Sequence, residues 1–414
     1  MDRTLNRWVK AIGLVSAIAL LTSACSLIEI DAEKDAKTVV AVVNGEEVYK
    51  GEVLEQYNSY NSYYNFEDGT EESNDLKAEV LDAVVKQKLT SQYLKNEKAV
   101  DKLTDEERAE AEATADETIN NATGYTSLLA KYEEEAKEDP SIDPEAKARE
   151  EADKMIQEQY GITREQAYEE QYLEQARLKI LDELGEAAEV TDEEVQTEYD
   201  KLLESQKEEF TSDPTKFYNQ LKQAQSATSS TSDPVVYQVS GYVNVKHVLI
   251  SMDDETKDAI TTLRNEGKDE EADAMREEGL AVIKAKADEV LKKAQDGEDF
   301  DKLIEEYGED PGMKANVVKD EGYIVGKDTG YMAEFEEGAL SMENVGDITL
   351  VATDYGYHVM QLVKVYEEGP VEMNDETRAS LEAAIRSTKA TAEWNTILAE
   401  YERNAEIKTY PKRL

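Results

Sequence analysis

Two stretches decide the reading of this chain, YVNVKHVLISM at 242–252 and ITLVATDYGYHVMQLVKV at 348–365. Apolar residues alternate in both, the two-residue period of a half-buried β-strand. In the first, the period puts Val243, Val245, His247 and Leu249 on one face; in the second, His358, Met360 and Leu362. The 414 residues contain only two histidines, and they are these two. An imidazole carried into an apolar neighbourhood on the first strand of a module, and again on its last, marks a site. A buried pair that merely stiffens the sheet would leave the same pattern.

Around these strands the composition sets limits. A chain of 414 residues exceeds one ordinary core and calls for two or three domains. Asp and Glu number 94 against 46 Lys and Arg, a formal net charge of -48. That excess argues against a nucleic-acid partner, because phosphates are met by lysine and arginine, and it fits a soluble, self-repelling surface. A single cysteine makes no internal disulfide, and one Cys with two His builds no zinc cluster, so neither metal nor cofactor is expected. Ahead of Cys25 lie a basic start, MDRTLNRWVK, the apolar run AIGLVSAIALL, and the small residues Thr22, Ser23 and Ala24. The run is too short for a comfortable membrane anchor. This order resembles a bacterial lipoprotein signal, in which the cysteine is lipidated and becomes the first mature residue; an ordinary signal peptide with an incidental cysteine is the alternative. Either one removes residues 1–24 and places the mature chain outside the cytoplasm, and the lipid would hold it at the outer face of the membrane.

Residues 38–43 read as a strand, Asn44-Gly45 as a tight turn, and Val48 onward as a short strand leading into a helix. Leu76, Val80, Leu81, Val84, Val85, Leu89 and Tyr93 recur at helical spacing. Thr163 and Thr191 read as helix caps, the latter with Glu194 as a capping box. The polar, Pro-flanked run at 209–234 reads as a linker. In the central module, 252–280 is an acidic insertion expected to be helical and surface-exposed. A helix over 281–294 is expected to turn Val282, Ala285, Val290 and Leu291 toward the sheet. Phe300, Leu303, Ile304 and Tyr307 start a second helix, loops run through Gly322-Tyr323 to Gly330, and a short helix spans 334–340. A last amphipathic helix, 376–404, is expected to pack back on the N-terminal helices.

The order of motifs from 245 to 365 resembles the parvulin family of peptidyl-prolyl isomerases. VKHVLIS is similar to its opening strand, FDKLIEEYGEDPG to the segment that ends in an acidic or thiol position, here Asp310, and MAEFEEGALSM to the run holding its pocket aromatic, here Phe335. TDYGYHVMQLVKV resembles its closing strand and places Thr353 and His358 on active-site positions. Two departures stand out: Glu321-Gly322-Tyr323 replaces a double glycine, and Tyr331 occupies the place of the pocket methionine, with Met332 beside it. More widely, VVAVVNGEEVYKGEVLEQY and VTDEEVQTEYDK resemble the anchored foldase lipoproteins of Gram-positive bacteria and their relatives among SurA-type periplasmic chaperones.

The resemblance implies an α+β fold, a parvulin-like domain at 240–368 with a small antiparallel sheet flanked by helices. That domain would be inserted in a mostly helical chaperone domain made from 25–235 and the C-terminal helix of 369–414. It implies a catalytic network of His247, Asp310, Thr353 and His358, and a proline cup built by Phe335 with Tyr331 or Met332 and Leu340. The expected partners are unfolded secreted polypeptides with X–Pro bonds and, through Cys25, the membrane; whether the chain pairs as a homodimer is left open. The competing reading is an anchored holdase whose isomerase module binds extended segments without turning them over.

Overall fold

The computed structural model describes residues 32–225, 233–314, 316–327 and 329–414; the signal segment and Cys25 lie outside them. The chain forms two compact units, Met1–Glu189 with Arg386–Leu414, and Val190–Ile385.

In the first unit, Asn44 and Gly45 both take positive φ, 51° and 88°, the mirror-image turn that suits a two-residue hairpin. It joins the antiparallel strands Val39–Val43 and Glu46–Tyr49, and Ile407–Thr409 pairs on the other side of the first strand. The stripe expected on the helix Glu71–Asn96 delivers Val80, Leu81, Val84, Val85 and Leu89 into one core with Val40, Val43, Val48, Val53 and Tyr57. A second core joins Leu94, Leu103, Leu173 and Ala176 to Trp394, which lies on the later part of the helix Asp375–Arg403. The C-terminal helix thus packs with N-terminal helices. Thr104, Thr163 and Thr191 each cap a helix in a reciprocal box with Glu107, Gln166 and Glu194, satisfying amides that have no partner inside the helix.

The second unit is built on a four-stranded antiparallel sheet in the order Tyr323–Gly326, Tyr242–Ser251, Gly356–Val365, Ile348–Thr353. Strand alternation sorts the two faces. Val248, Ile250 and Val359 meet the helices Asp269–Gln295 and Phe300–Tyr307. Val243, Val245, Met360 and Leu362 meet the helix Ala333–Leu340. His247 and His358 belong to this second face.

Four local expectations need correction. The strand Tyr323–Gly326 and the short helix Asn316–Glu321 lie where loops were read; three hydrophobic residues between two glycines give too little periodicity to identify an edge strand. Within the run read as a linker, Pro214–Gln225 is a helix whose Phe217 is fully buried against Phe210, Tyr242 and Tyr366. The insertion is helical, over Asp254–Asn265 and the start of Asp269–Gln295, but Met252, Ile260, Ala272 and Leu280 form a buried core inside it. The sheet-facing stripe on the long helix is Ile283, Ala287, Val290, Leu291 and Ala294, whereas Val282 is 83% exposed and Ala285 is exposed as well. Spacings of three and four select the first set.

The second unit also takes in more than the isomerase-like segment. The helices Asp192–Ser212 and Pro214–Gln225 pack on Tyr237, Val239, Tyr242 and Tyr366. The buried Gln206 donates to the Pro234 carbonyl (2.8 Å) and accepts from the amides of Val236 (2.8 Å) and Tyr237 (3.1 Å). No helix among the described residues is long and apolar enough to cross a membrane.

Candidate active site

The register of the two central strands sets the site. His247 lies opposite Met360, and Leu249 opposite His358, so the imidazoles are diagonal neighbours on one face, within reach of side chains of this size. Their Nδ1 atoms are 3.0 Å apart. His247 Nε2 lies 2.8 Å from Asp310 Oδ2, and His358 Nε2 lies 2.8 Å from Thr353 Oγ1. All but Asp310 are nearly sealed from water: Thr353 is 1% exposed, His247 3% and His358 6%.

Local geometry brings each partner in. Thr353 ends one strand and Gly356 begins the next, and the two-residue turn between them lets the Tyr355 amide donate to Thr353 Oγ1 at 3.1 Å. Gly356 has φ +145°, and a Cβ there would stand 2.2 Å from the Ile250 carbonyl oxygen. Asp310 opens an Asp-Pro-Gly turn. Its Oδ1 accepts from the Gly312 amide at 2.9 Å, and its Oδ2 accepts from the Tyr323 hydroxyl, also at 2.9 Å. A Cβ on Gly312 would fall 1.9 Å from Tyr323 Oη, so the turn closes on the tyrosine only with glycine there. The Met313 sulfur accepts from the His247 amide at 3.2 Å.

Counting donors and acceptors satisfies every contact with both rings neutral. The Thr353 hydroxyl donates to His358 Nε2, His358 Nδ1–H donates to His247 Nδ1, and His247 Nε2–H donates to Asp310. Burial, with His247 alongside, pushes the His358 imidazole down to about 3, which keeps it neutral. For Asp310, burial acts to raise the carboxyl, but the hydrogen bonds from His247, the Gly312 amide and Tyr323 outweigh it and bring it to about 2. Burial first, and the Asp310 charge second, push the Tyr323 phenol up. The network therefore sets the Asp310 carboxylate among three donors and keeps the His358 ring neutral.

On the apolar side, the Phe335 ring stands edge-on to both imidazoles, with centroids 5.3 Å from His247 and 5.1 Å from His358. Tyr331 stacks on it at 5.4 Å, and Tyr323 lies 5.6 Å from Tyr331. Met332 is half-buried against the same cluster, to which Met342 also belongs. The structure does not bring Leu340 to this cup: it is 37% exposed, one position round the helix from the buried Ala339. Met332, Phe335, Ala339 and Met342, spaced three, four and three apart, form the stripe that faces the sheet. Tyr323 and Met313 were missed from the sequence. Tyr323 stood in a segment read as loop, and no local signal aims it at a carboxylate 13 residues away.

The site sets the aromatic faces of Phe335 and Tyr331 beside a buried, hydrogen-bonded floor. Residues 235–367 match the family model described as PPIC-type PPIASE domain. Foldase protein PrsA of Clostridium botulinum strain Hall is 23% identical over 97% of this chain and 97% of its own length. Its counterpart in Clostridium kluyveri is 21% identical over 98% and 100%. A crystal structure of PrsA from Bacillus subtilis is 17% identical, covering 89% of this chain and 91% of that one, with a TM-score of 0.21. This chain carries a PPIC-type peptidyl-prolyl isomerase domain and is a homologue of the PrsA foldases.

Proposed function

We propose that the protein is a peptidyl-prolyl cis-trans isomerase and foldase for secreted polypeptides, working outside the cytoplasmic membrane and tethered there by lipid on Cys25. The observation that carries the isomerase reading is the Phe335 ring edge-on to both imidazoles and stacked under Tyr331. Rotation about an X–Pro bond breaks no covalent bond. Its barrier of about 20 kcal/mol comes from losing C–N double-bond character. A catalyst needs to hold the twisted amide better than either planar form. Phe335, Tyr331 and Met332 supply an apolar seat for the proline ring, and a dry seat favours the less polar twisted amide. His247, His358, Thr353 and Asp310 hold the floor rigid; both oxygens of Asp310 are engaged by donors, so its part is to orient His247 and Tyr323 rather than to attack.

The tether rests on the sequence around Cys25, and loss of membrane association in a Cys25→Ser chain tests it. The isomerase reading is tested with an X–Pro peptide and the mature chain. Phe335→Leu keeps the core filled but removes the flat seat, so kcat/KM should fall by about tenfold, mainly through KM, with little change in Tm. Full activity in a folded Phe335→Leu protein would refute the cup. Suppressed aggregation without any peptide turnover would favour the holdase reading.

A further inference from the structure

The stretch 253–280 holds eleven acidic residues and only two arginines, Arg264 and Arg276. Arg264 meets Asp354 in a fork, Nε to Oδ2 at 3.0 Å and Nη2 to Oδ1 at 3.1 Å, while Nη2 also reaches Asp273 at 2.6 Å. Arg276 donates from Nη1 to Glu334 Oε1 at 2.9 Å, and the same nitrogen lies 3.7 Å from Asp354 Oδ1. The two acids outside the insertion are the immediate neighbours of site residues: Asp354 follows Thr353, and Glu334 precedes Phe335. Behind them, the insertion's core of Met252, Ile260, Ala272 and Leu280 packs on Ala352 and Tyr357, the residues just before Thr353 and His358.

We propose that Arg264 and Arg276 are positioning residues for isomerisation. Together they tie the turn that carries Thr353 to the helix that carries Phe335, and so set the gap between the polar floor and the apolar cup. The proposal rests on the isomerase reading above. Isolated ion pairs at a surface contribute little to stability. A forked, partly buried pair contributes direction instead, and small errors in placement are costly to a catalyst that works by fit. Asp354 is 17% exposed and sits between both arginines, so the tie is shielded from much of the solvent screening. The acidic insertion thereby becomes a brace rather than a solvated appendage.

The test uses the full mature chain carrying Arg264→Gln, Arg276→Gln, Glu334→Gln, or the last two together. One readout is peptide isomerisation; the other is the imidazole nitrogen–proton spectrum, in which the only two rings of the chain are His247 and His358. Each arginine variant should lose about five- to tenfold in kcat/KM. The Arg276→Gln/Glu334→Gln pair should lose no more than the worse single change, because both cut one tie. Arg264→Gln should shift the His358 Nε2 resonance, which reports the Thr353 contact, with His247 less affected. Arg264→Lys, which keeps the charge without the fork, should restore only part of the rate. Unchanged turnover and unchanged His358 resonances in folded variants would overturn the proposal, as would fully additive losses in the pair. Should Arg276→Gln fail to fold, Glu334→Gln cuts the same tie from the exposed side and decides the matter. A wild-type chain without turnover, whose His358 resonance still moves in Arg264→Gln, would refute the isomerase reading and leave the brace standing.

Discussion

Acid should loosen the central sheet, and the size of the effect can be worked from His358. In the folded protein this ring stays neutral down to about pH 3, while the ordinary value is 6.5. Between those values the unfolded chain binds a proton that the folded chain refuses, so stability rises with pH and is lost as pH falls through the window. One proton contributes a slope of at most about 1.4 kcal/mol per pH unit. Going from pH 7 to pH 5, the loss from His358 comes to about 2 kcal/mol. Asp310 adds a loss of the same sign only lower down, between 3.8 and about 2. The other carboxylates of a chain at -48 have their own pH dependence, so the comparison must be with His358→Gln, which shares that background. Trp394 belongs to the other unit, so its fluorescence would not follow this transition. Amide hydrogen exchange along 243–251 and 356–365 does. The stability advantage of wild type over His358→Gln should shrink by about 2 kcal/mol from pH 7 to pH 5, a factor of about 30 in protection. An advantage that stays constant, or grows on acidification, would show that the buried ring is not held neutral and would refute the donor chain from Thr353 to Asp310.

Tyr323→Phe removes one of the three donors to Asp310; thermal unfolding should show a loss of about 1 kcal/mol, and Asp310 should titrate higher, since that hydrogen bond helps to hold it down. Phe217→Ala should destabilise the second unit by about 3–5 kcal/mol, because Phe217 is fully buried between Phe210, Tyr242 and Tyr366; denaturant unfolding followed by near-UV tyrosine signals measures it. For the same reason a fragment of 190–385 should unfold cooperatively, whereas a fragment cut at 235 should be less stable and bind hydrophobic dyes, its Tyr237, Val239, Tyr242 and Tyr366 having lost Phe210 and Phe217.

The parts of this fold that could be read from sequence are those fixed by local period. Alternation in 242–252 and 348–365 put each histidine on the apolar face of its strand, and threonine caps, joined at Thr191 by Glu194 three residues on, marked the helix starts at Thr163 and Thr191. What escaped depended on distant partners. Phe217 lies in a polar stretch, and it becomes core only because Tyr242 and Tyr366 cover it. Tyr323 earns its place through a carboxylate on another loop. Leu340 and Val282 were misassigned for a simpler reason: each is apolar and adjacent to the true stripe, and a helix rotates about 100° per residue, so an error of one position turns a core residue into an exposed one. The composition of 252–280 pointed to a solvated surface, and only the contacts of Arg264 and Arg276 with Asp354 and Glu334 motivate the proposed brace.

The closed character of the donor network bears on what kind of catalyst this can be. From the Tyr355 amide through Thr353, His358 and His247 to Asp310, each polar atom is already engaged, and the titrations of His358 and Asp310 are both pushed down to about 3 and about 2. In such a centre His358 and Asp310 offer neither a free nucleophile nor a proton near neutrality. Acyl or glycosyl transfer would need one or the other. Amide rotation needs neither; it needs a seat whose shape fits the twisted form and whose dielectric does not reward the planar, more polar one. In the proposed function Phe335 and Tyr331 form that seat, over a floor whose two imidazoles are buried and whose one carboxylate, Asp310, is held by three donors. The contacts already made by His358 and Asp310 therefore fit conformational catalysis on a prolyl amide, the reaction proposed for this site.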